Sequence, residues 1–301
     1  MKYNSILQTI GHTPLVELAQ EEGSGKVFVK VEARNPAGSI KDRAALYMIR
    51  DAQEKGLIKE GSTIVEATSG NTGIALSMIG RALGMKVVIV MPSSMSEERK
   101  QLMRAYGAEL ILTGEGGMNA AVEKANELVE TKGYYMISQF ENKANAQAHY
   151  EMTGPEIYTD LPQVNAFIAG IGTGGTVTGV GKFLKEKNKD IKIYGIEPAD
   201  SPLLTQGKAG GHTIQGIGAN FIPEVLDQKV LDRVYTVTGQ EAFEGARRLA
   251  NDTGILGGIS SGANVYGAYK LARELGENAN VVTVLPDTGE RYLSTDLFDY
   301  A

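Results

Sequence analysis

Lys41 stands in a context that suits a nucleophilic amine. It lies in residues 35–43, a turn leading into a predicted helix, with Ser39 as the expected N-cap and Asp42 in the capping-box position. Lys41 then falls in the first helical turn, where the positive end of the helix dipole disfavours a cation and lowers its pKa. A neutral amine at this position can attack a carbonyl. The alternative is a solvated surface lysine.

A second polar segment, residues 68–73, reads Thr-Ser-Gly-Asn-Thr-Gly between a predicted strand and a predicted helix. Free backbone N–H groups and hydroxyls at a helix N-terminus form an anion site, and a carboxylate fits there as well as a phosphate. An ordinary capped turn is the alternative. Two threonines, a serine and an asparagine exceed what a cap needs, which favours a ligand site.

A third segment, residues 170–176, reads Gly-Ile-Gly-Thr-Gly-Gly-Thr and also joins a predicted strand to a predicted helix. Successive small residues expose several N–H donors to one point, which is typical of a phosphate site. The P-loop ending Gly-Lys-Ser/Thr is absent, and a dinucleotide fingerprint would need glycine at Val177. A fourth segment, Gly-Gly-Ile-Ser-Ser-Gly at residues 257–262, suits a capped helix start and a ligand site equally.

The elements around these segments predict an α/β fold with parallel sheets, because short apolar runs alternate with longer amphipathic ones. A polar stretch at residues 141–154 is the best candidate for a loop between two lobes, and ligands in such folds bind at the carboxyl ends of strands. The predicted strands are 27–31, 63–66, 86–90, 109–112, 166–169, 192–196 and 281–285. The predicted helices are 43–55, 72–83, 97–106, 117–131, 177–188, 240–252 and 263–275.

Composition and charge exclude several classes of function. The 301 residues carry a formal net charge of −6, which argues against nucleic-acid binding through phosphate contacts. Neither a long apolar run nor a signal-peptide core is visible, so we expect a cytoplasmic protein without membrane association. There is no cysteine, and His12, His149 and His212 are far apart in the sequence. We therefore expect no metal site, and acid–base chemistry must come from lysine, carboxylates, hydroxyls or a cofactor.

In this order, the four segments resemble the fold-type-II, or β-family, pyridoxal-phosphate enzymes, and within them the cysteine synthase (O-acetylserine sulfhydrylase) family. The resemblance implies two open twisted-sheet α/β domains with a cleft between them, as in tryptophan synthase β. Residues 36–145 would form the smaller, mobile domain, and residues 1–35 with 146–301 the larger one. The likeness extends to residues 9–15, 66–75, 91–92, 95–96, 139–140, 153–157, 215–218, 258–262 and 289–294.

The resemblance also implies a role for each segment. Lys41 would form the Schiff base with pyridoxal 5′-phosphate and, once displaced, remove the substrate α-proton. Asn71 would bind the cofactor 3′-oxygen, and Ser260 the pyridine nitrogen. The cofactor phosphate would be held by Gly172, Thr173, Gly174, Gly175 and Thr176. The substrate carboxylate would be held by Thr68, Ser69, Gly70, Asn71, Thr72 and Gln139. The amino-acid side of the site would be bordered by Gly216, Ile217 and Gly218.

The implied reaction converts O-acetyl-L-serine and sulfide to L-cysteine and acetate through an aminoacrylate intermediate. A neutral Ser260 hydroxyl cannot hold the ring nitrogen protonated, which favours loss of a β-leaving group over transamination. Alternatives are a bacterial cystathionine β-synthase using homocysteine, a thiosulfate-using B-type isozyme, and a non-catalytic protein on this fold. A dehydratase is disfavoured, because its asparagine loop usually lacks the Thr-Ser-Gly-Asn-Thr form.

The implied partners are a second copy of the chain, as a homodimer, and the C-terminal peptide of serine acetyltransferase. A loop that captures a substrate carboxylate could also receive a peptide C-terminus.

Overall fold

The computed structural model describes residues 2–299, whose strands form two separate sheets. The larger sheet has the order β1-β2-β10-β7-β8-β9, and the smaller one β5-β4-β3-β6. All neighbouring strands are parallel except β1 and β2, which form an antiparallel pair at one edge. The strands are β1 Leu15–Glu17, β2 Lys26–Val31, β3 Thr63–Ala67, β4 Lys86–Pro92, β5 Glu109–Thr113, β6 Tyr135–Met136, β7 Ala166–Gly170, β8 Lys192–Pro198, β9 Arg233–Val237 and β10 Asn280–Leu285.

Helices connect the parallel strands and cover the sheets. No helix within residues 2–299 has the length and apolar character needed to span a membrane. The helices are α1 Lys41–Glu54, α2 Asn71–Ala82, α3 Glu97–Ala105, α4 Gly117–Lys132, α5 Ala144–Ala148, α6 Gly154–Asp160, α7 Gly175–Lys187, α8 Leu203–Gln206, α9 Gly239–Thr253 and α10 Ile259–Leu275.

The predicted α/β class is confirmed, and every predicted strand and helix is present with ends shifted by at most four residues. Sequence patterns missed β1 and β6, which are only three and two residues long. They also missed β9, which pairs with β8 alone at the sheet edge.

The predicted loop at residues 141–154 is wrong. The chain is helical from α5 through a π-helical turn, His149–Thr153, into α6. Gly154 and Pro155 suggested a break, but Pro155 occupies the first turn of α6 and the preceding helix widens instead of ending. Buried Asn145, His149 and Thr153 make this segment part of the core.

The strands of the two sheets come from different parts of the chain. The smaller sheet uses residues 63–136 only, and the larger one uses residues on both sides of that range. We therefore keep the bounds 36–145 and 1–35 with 146–301 as a proposal. Their outermost residues, Met1, Tyr300 and Ala301, lie outside the described residues.

A buried charge network fastens the start of α1 to Glu32, which follows β2, and to Glu156 in α6. The Arg43 guanidinium donates to Glu32 at 2.7 and 2.9 Å and to Glu156 at 2.6 and 2.8 Å. Lys30 adds a second cation 2.9 Å from Glu156. Burial alone would raise the pKa of Glu156, but Arg43 and Lys30 lower it to about 2. The stability that this carboxylate contributes is therefore present above pH 4.5 and is lost as the pH falls towards about 2.

We expect Arg43→Met to lower the free energy of unfolding by about 3–5 kcal/mol, because the buried Glu32 carboxylate loses its counter-ion. Urea unfolding followed by circular dichroism measures the loss. The matched control is Lys55→Ala, which breaks the exposed pair with Asp51 at the other end of α1 and should leave the free energy of unfolding nearly unchanged. Equal costs for the two variants would contradict the assignment.

Candidate active site

A cleft of about 580 Å³ opens between the two sheets, at the carboxyl ends of the parallel strands. Two wider grooves elsewhere on the surface contain none of the predicted site residues. The structure brings together on the cleft wall eleven residues predicted from distant segments: Lys41, Thr68, Ser69, Gly70, Asn71, Thr72, Gln139, Gly172, Thr173, Gly216 and Ile217.

The remaining predicted residues lie directly behind that wall. Gly174 is the N-cap of α7, with φ of +81°, and Gly175 and Thr176 form its first turn. Gly218 does not line the cleft, and its N–H donates to the Ile171 carbonyl at 3.0 Å.

Ser260, in the first turn of α10, is buried, and its hydroxyl has no hydrogen-bond partner within the described part of the chain. A Cβ built on Gly216 would lie 3.6 Å from Ser260 Oγ. The Ser260 hydroxyl is therefore available to a ligand that lies against Gly216.

Lys41 lies at the floor of the cleft as the first residue of α1. Its amine forms no hydrogen bond or ion pair with any of residues 2–299. Burial lowers the pKa of Lys41 from 10.5 to about 8, while the charge of Asp287 acts in the opposite direction. The direction agrees with the prediction from the sequence, and burial is the largest cause of the lowered pKa. An amine in this state becomes nucleophilic near neutral pH.

The capping box predicted at the start of α1 does not form. Ser39 Oγ accepts the Lys41 N–H at 3.2 Å, but Asp42 Oδ2 accepts the N–H of Ala37 at 2.6 Å instead of reaching back to Ser39. The tight turn at Gly38, with φ of +82°, brings Ala37 next to Asp42. Asp42 therefore holds the turn before Lys41, and burial raises the pKa of its carboxyl to about 7.

The loop between β3 and α2 presents unpaired donors to the cleft. The N–H groups of Ser69, Asn71 and Thr72 have no acceptor among the residues that the structure describes, since they precede the first complete helical turn. Thr72 Oγ1 donates to Gln139 Oε1 at 2.6 Å. This bond joins the loop after β3 to the segment after β6. The geometry fits one small anion, as the sequence predicted.

A buried carboxylate holds the backbone of the segment after β6, next to this anion site. Glu66, in β3, accepts the N–H of Ser138 at 2.9 Å and that of Gln139 at 3.2 Å. Burial raises the pKa of Glu66 to about 7. The two bonds fix the backbone that carries the Gln139 side chain.

Residues 172–176 form a glycine-rich cup at the start of α7. The outer side of the cup is closely packed, and its inner side presents backbone N–H donors. A Cβ on Gly172 would meet Gly216 O at 2.5 Å, and one on Gly175 would meet Asn145 Oδ1 at 2.1 Å. The N–H groups of Thr173, Gly174 and Thr176 lack acceptors within residues 2–299. This arrangement fits a phosphate at a helix N-terminus.

Sequence reasoning missed the residues that support these loops. Asn145 Nδ2 donates to Gln139 O at 2.8 Å and to Thr173 Oγ1 at 2.9 Å, which links the segment after β6 to the cup. Asn71 Nδ2 and the Tyr292 hydroxyl both donate to Asp287 Oδ2 at 2.7 Å. The sequence contained no signal for Asn145, because its environment was predicted to be a loop.

Comparisons with known proteins agree with this geometry. A family model described as "Pyridoxal-phosphate dependent enzyme" matches residues 6–287. A cysteine synthase of Staphylococcus aureus is 50% identical over 99% of this chain and 97% of its own length. The crystal structure of cysteine synthase from Entamoeba histolytica has a TM-score of 0.96 and 42% identity, covering 100% of this chain and 92% of that one.

A third similar protein is named for a different activity. The O-acetylserine-dependent cystathionine β-synthase of Helicobacter pylori has a TM-score of 0.92 and 38% identity, and 99% of each chain is covered. The family match spans nearly the whole length of the chain. With the lysine, the cup and the carboxylate loop in one cleft, the chain belongs to the pyridoxal-phosphate-dependent enzymes of fold type II.

Proposed function

We propose that the protein is a cysteine synthase, which replaces the acetoxy group on the β-carbon of O-acetyl-L-serine by sulfide to give L-cysteine and acetate. The observation that carries the proposal is the meeting of an unpaired Lys41 amine with two separate anion loops in one cleft. One loop suits a phosphate and the other a carboxylate, which are the two anions that the cofactor and an amino acid bring. The 50% identity to a cysteine synthase over almost the whole chain supports the same reaction.

The residues present fit pyridoxal phosphate. Gly172, Thr173, Gly174, Gly175 and Thr176 would hold its phosphate through unpaired N–H groups and hydroxyls. Ser260 would meet the ring nitrogen with its free hydroxyl. Asn71 would bind the 3′-oxygen, since only one of its two Nδ2 hydrogens is used by Asp287. When bound, the cofactor supplies an electrophilic aldehyde and an electron-withdrawing ring.

The chain's own residues bind the substrate and move its proton. Thr68, Ser69, Gly70, Asn71, Thr72 and Gln139 would bind the substrate carboxylate. Gly216, Ile217 and Gly218 would border the side of the substrate, and Gly216 leaves its space free by lacking a side chain. Lys41 Nζ would take the α-proton, because its pKa of about 8 allows a neutral amine at working pH. Closure of the smaller domain over the carboxylate would exclude water.

Homocysteine and thiosulfate remain the alternative sulfur nucleophiles. The Helicobacter pylori relative is named as a cystathionine β-synthase that depends on O-acetylserine, which favours homocysteine as the second candidate. The deciding experiment offers O-acetylserine with sulfide, thiosulfate or homocysteine in turn and identifies each product by mass. Cysteine should form with sulfide at the highest kcat/KM. Cystathionine as the main product would overturn the proposal, and absence of any product would indicate a non-catalytic protein.

The proposal includes a homodimer in the cytoplasm and binding of the C-terminal peptide of serine acetyltransferase. The unpaired N–H groups of Ser69, Asn71 and Thr72 support the last point, because they suit a peptide carboxylate as well as a substrate carboxylate. Analytical ultracentrifugation and cell fractionation test the assembly and the location. Competition between the peptide and O-acetylserine tests the shared site.

We expect Thr72→Val to weaken O-acetylserine binding by about 1–3 kcal/mol, roughly 5- to 150-fold, because the buried Gln139 Oε1 loses its donor and the Gln139 side chain is no longer held at the carboxylate site. The absorbance of bound cofactor should stay unchanged, since Thr72 does not belong to the cup. Substrate titration of the cofactor spectrum measures both. The control is Ser77→Ala on the same helix, where the hydroxyl bonds to Gly73 O and should not affect the titration. Loss of the cofactor from Thr72→Val would contradict the assignment.

A further inference from the structure

Arg99 is a cation on the wall of the cleft. It belongs neither to the residues proposed to hold the cofactor nor to those proposed to bind the substrate α-carboxylate. It lies in the first turn of α3, where Ser96 is the N-cap, and it lines the cleft beside residues 94–96. Only 9% of its surface is exposed. The sequence Glu-Glu-Arg-Lys around it suggests a solvated helix face, which the burial contradicts.

Among residues 2–299, the Arg99 guanidinium forms no salt bridge, although the charge of the neighbouring Glu98 acts on it without direct contact. Its Nε is buried without a hydrogen bond, and its charged group lies 5.4 Å from the centre of the Tyr292 ring. The acidic neighbours on α3 are engaged elsewhere: Glu97 with Lys100 and Arg104, and Glu98 with the Ser96 hydroxyl.

Burial of an unpaired cation is costly, and proteins normally neutralise it. Arg43 shows the usual solution in this chain, because Glu32 and Glu156 surround its guanidinium. Within the described part of the chain, no carboxylate lines the cleft. The unpaired Arg99 therefore points to an anion that arrives with the reaction.

The sheet order separates Arg99 from the corner that suits the substrate carboxylate. β3 lies between β4 and β6. The Thr72–Gln139 bond joins the β3 loop to the segment after β6, whereas α3 follows β4 on the opposite side. Arg99 and Gln139 thus flank the loop of residues 68–72 from two sides. The phosphate cup belongs to the other sheet, after β7, so three anion sites border one cleft.

We infer that Arg99 binds the carboxylate that leaves the substrate β-carbon. This inference rests on the proposed function, in which phosphate and α-carboxylate occupy the other two sites and elimination creates a third anion. The Cα–H bond gives its proton to Lys41, the Cβ–O bond breaks with its electron pair on the leaving oxygen, and a Cα–Cβ double bond forms. A planar guanidinium matches a planar carboxylate with two hydrogen bonds, whereas hydrosulfide offers a single atom.

The test separates the two halves of the reaction in the cofactor-loaded enzyme. O-acetylserine is mixed with excess enzyme without sulfide, and released acetate is measured by rapid quench. We expect Arg99→Gln to slow this release about 100-fold, as removal of one charge-stabilising donor does elsewhere, and Arg99→Lys to slow it less. Inhibition by sodium acetate should weaken in the same order. Affinity for L-serine, which has the α-carboxylate but no acyl group, should change less than about twofold.

Lys100→Gln is the matched control, because Lys100 is a buried cation on the same helix whose amine already bonds to Ser93 O at 2.6 Å. It should release acetate at the normal rate. Retained cofactor absorbance and a normal thermal unfolding midpoint for Arg99→Lys exclude a folding defect.

Three results would overturn the inference: unchanged acetate release in Arg99→Gln, equal loss of L-serine affinity, or slowing confined to the sulfide step. If the unmodified enzyme releases no acetate at all, the proposed function itself fails.

Discussion

Lys41→Ala is expected to lose at least ~10³-fold of the cysteine-forming activity, because the side chain serves both as the covalent attachment point and as the base for the α-proton. The variant should still take up pyridoxal phosphate through the cup, but without a covalent bond. Borohydride reduction followed by mass spectrometry of the intact chain distinguishes the two cases. The unmodified protein should gain the mass of one reduced cofactor, and Lys41→Ala none.

Lys55→Ala is the matched control for this variant, since Lys55 follows the end of the same helix and is exposed. It should be labelled fully. The pH dependence gives a second check. The pKa of Lys41 is about 8, so the amine is protonated below this pH, and capture of added cofactor by the apo protein should accelerate as the pH rises through about 8. Labelling of Lys41→Ala at another lysine would contradict the assignment of Lys41 as the attachment point of the cofactor.

Gly175→Ala is expected to destroy the phosphate site selectively. The added Cβ would lie 2.1 Å from Asn145 Oδ1, so either the cup or Asn145 must move. Asn145 donates a hydrogen bond to Thr173, so a displaced Asn145 would also shift Thr173 and its neighbours in the cup. Overpacking of this kind costs about 1–3 kcal/mol, which corresponds to roughly 5- to 150-fold in affinity.

Absorbance titration with pyridoxal phosphate and with pyridoxal, which lacks the phosphate, measures this effect. The variant should lose affinity for the phosphorylated form and retain its weak affinity for pyridoxal. Gly114→Ala is the control, because a Cβ there meets no atom within 4 Å. An equal loss for both ligands would mean that the substitution disturbs the whole fold rather than the cup.

The two anion loops could be predicted from the sequence, because their N–H donors belong to residues that are adjacent in the chain. A cup such as residues 172–176 or a loop such as residues 68–72 derives its N–H donors from a strand end followed by a helix start, and both are visible in the sequence. The period of the apolar residues likewise indicated the parallel strands and their helices. The predictions failed where neighbours distant in sequence decide the outcome, as in residues 144–160, which are helical because Asn145, His149 and Thr153 pack into the core.

By itself, the sequence determined the α/β class and identified Lys41 and the two anion loops as candidate site residues. It also carried the resemblance to pyridoxal-phosphate enzymes. Only the tertiary structure decided that these segments share one cleft, that burial lowers the pKa of Lys41, and that the buried Arg99 Nε has no hydrogen-bond partner within residues 2–299. The physical reason is that donor geometry at a helix start depends on adjacent residues. Desolvation and charge pairing depend on which distant residues surround a group, and no local pattern records them.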